Sequence, residues 1–158
     1  MTRLGEQLRQ ILDRLGERRV RTAVIGGLAG VARGLVRATS DVDLLVDEAD
    51  RGTVEHTVGE LGYSCIHRSD DVANFVRGDQ RLDVLFARRP LARAFLAGAD
   101  HVDTGLGMMP TVSVEALIAF KLQALVNDPR RLRDLEDIRH LLRLHGQRLN
   151  RLAMAEHF

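Results

Sequence analysis

Few folds accept a strand that presents two carboxylates on one face and only aliphatic side chains on the other, and this chain contains such a strand. In Asp41-Val42-Asp43-Leu44-Leu45-Val46 the alternation of strand side chains sends Asp41 and Asp43 to one face, and Val42, Leu44 and Val46 to the apolar face opposite. Arg81-Leu82-Asp83-Val84-Leu85 repeats the device with Asp83. Like charges side by side repel unless a cation, a proton or an arginine neutralises them. Hard Mg²⁺ is suited to the task, because it takes a few carboxylates together with substrate phosphate oxygens. A third carboxylate can serve a second metal or accept the proton of an attacking hydroxyl. If the first strand begins early, Arg37 and Thr39 share the face of Asp41 and Asp43, as Arg81 shares that of Asp83, and both arginines become candidate phosphate clamps.

Upstream, Ala23-Val24-Ile25 reads as an apolar strand ended by Gly26-Gly27, with a short helix expected over Leu28 to Gly34. Glycine permits close backbone approach, and amides at a helix N-terminus face anions, so this turn suits a triphosphate. Two other readings compete. A solvated edge strand would explain Asp41 and Asp43 but neither Asp83 nor the double glycine. A dinucleotide-binding unit would explain strand, glycine turn, helix, strand and Asp47, yet Gly26-Gly27-Leu28-Ala29-Gly30 is not G-x-G-x-x-G, and Asp41 and Asp43 would have no task.

The order of apolar strand, Gly-Gly, Asp-x-Asp on a strand and a later Asp on another strand resembles the nucleotidyltransferase superfamily of the DNA polymerase beta type. The run Arg37-Ala38-Thr39-Ser40-Asp41-Val42-Asp43 is similar to its small bacterial branch, which includes the AbiEii toxins of type IV toxin-antitoxin systems. So are Glu115-Ala116-Leu117-Ile118-Ala119-Phe120-Lys121 and Arg133-Asp134-Leu135-Glu136-Asp137-Ile138, which look like that branch's lysine helix and acidic helix. The resemblance spans roughly residues 20 to 145. Many members carry serine where this chain has Gly27, so a hydroxyl contact to phosphate is missing here.

The resemblance implies transfer of a nucleoside monophosphate from an NTP to an acceptor hydroxyl, dependent on Mg²⁺ or alternatively Mn²⁺. It assigns metal binding to Asp41, Asp43 and Asp83, and phosphate binding to Gly26, Gly27, Arg37, Thr39 and Lys121, with Asp134 or Asp137 counted with the site. It also implies tRNA as acceptor and a cognate antitoxin as partner. Nucleotidylation of a small molecule or a protein, and a catalytically idle nucleotide-binding or antitoxin-pairing module, are the alternatives.

Lys121 draws attention by its position alone. On a helix from Ser113 to Asn127, Val114, Leu117, Ile118 and Leu125 form one stripe with Lys121 at its centre, so the lysine faces inward. A buried ammonium needs a carboxylate or a substrate phosphate. Of the 23 lysines and arginines, it is the one lysine, a compact point charge in a chain that otherwise uses arginine. The next helix, near Leu132 to Leu144, is expected to bury Leu135, Ile138 and Leu142, with Asp134 at the edge of that stripe and within reach of Lys121.

With 158 residues, 45% hydrophobic and 28% charged, the chain suits one soluble domain over residues 1–158, with a mixed-sheet core to 110 and a helical tail from 111 packed on it. Aromatics make up 4%, too few for a base-stacking platform. Arginine groups at 18, 19, 21, at 88, 89, 93 and at 130, 131, 133 could form local patches for polyanions. A lone Cys65, no signal-peptide core and no apolar run of membrane-spanning length predict a cytoplasmic protein without a membrane partner. The six histidines lack metal-ligand spacing. The predicted fold class is α+β: a first helix to Gly16, strands near 20–25, 41–46, 64–67, 72–77 and 81–86, a helix near 50–61, a helix opened by Pro90, an irregular Gly98 to Pro110 connection, and C-terminal helices.

Overall fold

The computed structural model describes residues 2–149, so the end of the expected tail, 150–158, lies outside the described residues. In order, the elements are α1 (Arg3–Glu17), β1 (Thr22–Val24), α2 (Gly26–Ala32), β2 (Val42–Asp47), α3 (Arg51–Glu60), β3 (Ser64–Arg68), β4 (Val72–Arg77), β5 (Gln80–Ala87), α4 (Pro90–Ala97), β6 (Asp100–Asp103), β7 (Met108–Thr111), α5 (Val114–Asn127) and α6 (Leu132–His145). The fold is α+β as expected, and its mixed sheet has two strands beyond the five expected. Seven strands run in the order β3-β4-β5-β2-β1-β7-β6.

The two carboxylate strands are neighbours at its centre, and β2 pairs β5 in parallel. That position disposes of the edge-strand reading. The dinucleotide reading fails on direction: β1 and β2 are antiparallel, whereas a crossover through a helix in that unit delivers a parallel partner. The Gly98 to Pro110 segment is a correction. It forms the antiparallel hairpin β6–β7, and β7 then pairs β1 in parallel.

Local chemistry accounts for the element boundaries. Thr2 caps α1, its Oγ1 accepting from the Gly5 amide at 3.0 Å, and Ser113 caps α5 by accepting from the Ala116 amide at 3.2 Å. Pro90 occupies the first turn of α4, where its missing N–H costs nothing. Leu82, Val84 and Phe86 of β5 and Val42, Leu44 and Val46 of β2 supply the apolar face of the sheet. Leu8, Ile11 and Leu15 of α1, with Val54 and Val58 of α3, belong to the same buried cluster. Arg51 of α3 stacks its guanidinium over the Phe86 ring at 4.1 Å. The opposite face carries Asp43 and Asp83, and α5 stands over it.

Helix α6 is turned relative to expectation. Its buried residues are Asp134, Asp137, Ile138 and Leu141; Leu142 is 42% exposed and Leu135 only partly buried. Hydrophobic periodicity alone missed this, because a buried lysine on α5 pulls two aspartates into the interface. Among the described residues, no helix is long and apolar enough to cross a membrane.

Candidate active site

Register builds the centre of the site. Asp43 of β2 pairs with Asp83 of β5, and Asp83 with Asn74 of β4, so three polar side chains stand abreast on one face. Asn74 donates from Nδ2 to Asp83 Oδ1 at 2.5 Å, which fixes that carboxylate. Arg81 approaches the same oxygen at 3.8 Å. Asn74 was not among the residues singled out from sequence. The only signal was a polar amide within the otherwise apolar run Val72-Ala73-Asn74-Phe75-Val76.

Asp43 is hydrogen-bonded to Asp83. Burial first, then the charge and hydrogen bond of Asp83 and the charge of Asp41, push its carboxyl up to about 7; Lys121 opposes them. One proton near neutral pH therefore does what a cation could do better. Asp41 is the residue before the first residue of β2, so no ladder fixes its side chain, and Ser40 Oγ lies 3.4 Å from its Oδ1. Among the described residues no three acidic, histidine or cysteine side chains are placed together as metal ligands. The donor set nevertheless fits a hard divalent ion. All its atoms are carboxylate oxygens, and the burial and the neighbouring charges that raise Asp43 are what such an ion would offset.

The strand does not start early, so Arg37 and Thr39 reach this region from the coil before β2 rather than from a strand face. Each finds a specific place. A Cβ on Gly27 would lie 2.7 Å from Thr39 Oγ1, and one on Gly26 would lie 2.1 Å from Asp43 Oδ2. Gly26 also has φ +67, a conformation L side chains rarely adopt. The helix after the double glycine starts at Gly26, two residues earlier than expected. The glycines therefore serve this chain's own carboxylate and hydroxyl, making room for Asp43 and Thr39. Gly26→Ala is expected to displace Asp43 and to destabilise the fold by about 2–4 kcal/mol, combining steric conflict with backbone strain. Urea unfolding checks this, and an unchanged midpoint would contradict it.

A chain of alternating charges flanks the carboxylates. Arg37 Nη1 pairs with Asp137 Oδ2; Lys121 Nζ lies 2.9 Å from the same oxygen and 3.2 Å from Asp134 Oδ1; Arg131 Nε meets Asp134 Oδ2 at 2.6 Å. Lys121, Asp134 and Asp137 are each at least nine-tenths buried. The question of which aspartate meets Lys121 is answered by both. Burial disfavours the Asp134 carboxylate, but the hydrogen bonds and charges of Arg131 and Lys121 outweigh it and hold its carboxyl below the ordinary value. Arg131, grouped from sequence with arginines that could form a patch for polyanions, is the terminal member of this chain.

Beside the carboxylates a cleft of about 440 Å³ opens between the sheet, α4 and α5. Leu45 and Leu85 line it, each two positions along the strand from Asp43 or Asp83 and therefore on the same face, about 7 Å away. Phe120, Gln123 and Asn127 face it from α5, and Gln123 Nε2 donates to Asn127 Oδ1 at 3.2 Å.

Comparison with known proteins identifies the family. The family model described as the nucleotidyl transferase AbiEii toxin of the type IV toxin-antitoxin system matches residues 80–158. That is half of the chain's 158 residues. The chain belongs to the AbiEii nucleotidyltransferase family. Within the matched half lie Asp83, Lys121, Asp134 and Asp137; the double glycine and Asp41-x-Asp43 precede it. No curated protein matches the chain.

Solved structures share the fold over the earlier half as well. ANT(2'')-Ia, solved in complex with adenylyl-2''-tobramycin, is 21% identical, with 99% of this chain and 97% of that one covered at a TM-score of 0.78. The lincomycin-bound lincosamide antibiotic adenylyltransferase LnuA is 19% identical over 86% and 94% of the two chains, TM-score 0.60. A putative nucleotidyltransferase from Thermotoga maritima is 20% identical over 87% and 91%, TM-score 0.57. This AbiEii-family protein is an NTP-dependent nucleotidyltransferase.

Proposed function

We propose that this family member transfers a nucleoside monophosphate from an NTP, with Mg²⁺, to a hydroxyl of tRNA. The observation that carries the reading is the register of Asp43 with Asp83 on adjacent parallel strands, with Gly26 directly against Asp43. Asp41, Asp43 and Asp83 would hold Mg²⁺, or Mn²⁺ in its stead, and the bound ion would neutralise charge on the transferred phosphoryl group. Asp83, oriented by Asn74, takes the proton of the acceptor hydroxyl. The hydroxyl oxygen bonds to the α-phosphorus, the bond from that phosphorus to the bridging oxygen breaks, and pyrophosphate leaves. An in-line displacement puts the leaving group opposite the nucleophile. With pyrophosphate on the Gly26, Gly27, Thr39 and Arg37 side, the acceptor enters from the Asp83 side, where the cleft opens. Lys121 acts behind Arg37, since both grip Asp137.

A toxin role with a cognate antitoxin as partner, supported by the type IV family description, belongs to this proposal, as does the cytoplasmic setting expected from the sequence. One observation favours a second acceptor class. A cleft of about 440 Å³ with an amide pair on its wall has the size and lining of a small-molecule site.

The deciding experiment follows label from each α-labelled NTP, with Mg²⁺, into total tRNA, into the protein itself and into a panel of small hydroxyl compounds. Label in tRNA that disappears with Asp43→Asn supports the first reading. Label confined to a small acceptor replaces it with the second. Full transfer by Asp43→Asn would sink the assignment of the carboxylates.

A further inference from the structure

The strongest unassigned feature lies at the other end of β1. A cleft of about 560 Å³ there is lined by Arg9 of α1, Arg19 and Arg21 of the α1–β1 connection, and His101 of β6, around apolar surface from Val20 and Pro110. Arginines elsewhere are mostly taken: Arg3 by Asp79, Arg18 by Glu60, Arg93 by Asp47. Among the described residues, Arg9, Arg19 and Arg21 have no carboxylate within ion-pair distance. Three guanidiniums without a carboxylate partner line one concavity and give it a positive potential.

The backbone adds an independent observation. Arg19 has φ 60 and is the only non-glycine residue with positive φ among the described residues. It follows the end of α1, where the Val20 amide bonds back to the Leu15 carbonyl at 3.0 Å and the Arg19 amide to the Gly16 carbonyl at 3.0 Å. Helices that close this way usually place glycine there. Arg19 thus occupies a left-handed position at which a side chain is disfavoured.

We propose that this cleft anchors the phosphodiester backbone of the acceptor RNA, in a place apart from the carboxylates. The proposal rests on the RNA reading above. Exposed arginines gain little from one small anion, because each pair forms in water. They gain from a polyanion, which releases condensed counterions at every neutralised phosphate. The span is also apt. Thr22 lines the cleft and Gly26 adjoins Asp43, and the four strand-like steps from one to the other cover about 13 Å. One strand of a nucleic-acid helix carries about four charges over that distance.

The test measures binding of fluorescent total tRNA by anisotropy across a KCl series, for wild type and for Arg9→Gln/Arg19→Gly/Arg21→Gln. The glycine substitution suits the left-handed position and protects the fold, which a thermal melt verifies. The expected result is a plot of log affinity against log salt that is shallower by about 2–3 in slope, with at least about tenfold weaker binding at 0.1 M KCl. An unchanged slope overturns the anchor. So does loss of inorganic phosphate binding with tRNA binding intact, which would mark a small-anion site. Label transfer is scored separately: wild-type tRNA binding that depends on the three arginines, without any transfer to tRNA, supports the cleft while refuting the acceptor.

Discussion

Asp43→Asn is expected to lower nucleotidyl transfer at least about 10³-fold while raising the stability of the metal-free protein at neutral pH. The first effect follows from removing a charge that the transferred phosphoryl group and its counterion need. The second follows from linkage. A carboxyl whose folded value is raised to about 7 binds its proton more tightly in the folded state than in the unfolded one. Its contribution is therefore complete at low pH, below the ordinary carboxylate value, and stability is lost as pH rises towards about 7. An uncharged isostere escapes that loss. Thermal melts in chelator should show the variant ahead by several degrees at pH 8, on the order of 2–4 kcal/mol, with the advantage shrinking towards pH 4. Mg²⁺ should then raise the wild-type melting temperature and leave the variant's nearly unchanged. A variant less stable than wild type at pH 8 would contradict the repulsion on which this rests.

Lys121→Met should be the most destabilising single change outside the apolar core, at about 3–5 kcal/mol, because it strips the shared cation from two buried carboxylates. Asp134, held low by Arg131 and Lys121, lends stability that is present at neutral pH and lost as pH falls through the carboxylate range. The variant's deficit should accordingly narrow in acid. A double cycle with Asp137→Asn separates the pair from other losses: the coupling energy should be large and favourable, and additive effects would show that the 2.9 Å contact contributes little.

The central strands were legible because two rules agreed there. Alternation set the parity of Asp43 and Asp83, and aliphatic neighbours marked strands buried on their other face. Inward-facing Lys121 was legible for a similar reason, since a charge in the middle of an apolar stripe must be answered. What failed to show in the sequence was whatever depended on a distant partner. The β6–β7 hairpin carries Gly105, Gly107 and Pro110 and no clean alternation, so its pairing is a tertiary outcome. The rotation of α6 answers to Lys121 as well as to Ile138 and Leu141. The task of the double glycine became visible only when Asp43 and Thr39 were seen in the space a Cβ would occupy.

Arg37 and Asp137 are 100 residues apart in sequence, and that separation orders events during synthesis. A nascent chain that has delivered Asp41, Asp43 and Asp83 still lacks the acid to which Arg37 and Lys121 are tied. Ribosome-bound fragments ending before α6 thus carry the carboxylates, Arg37 and Lys121 without the two aspartates that hold those cations. The chain of charges beside the carboxylates is therefore completed only once α6 has emerged from the ribosome.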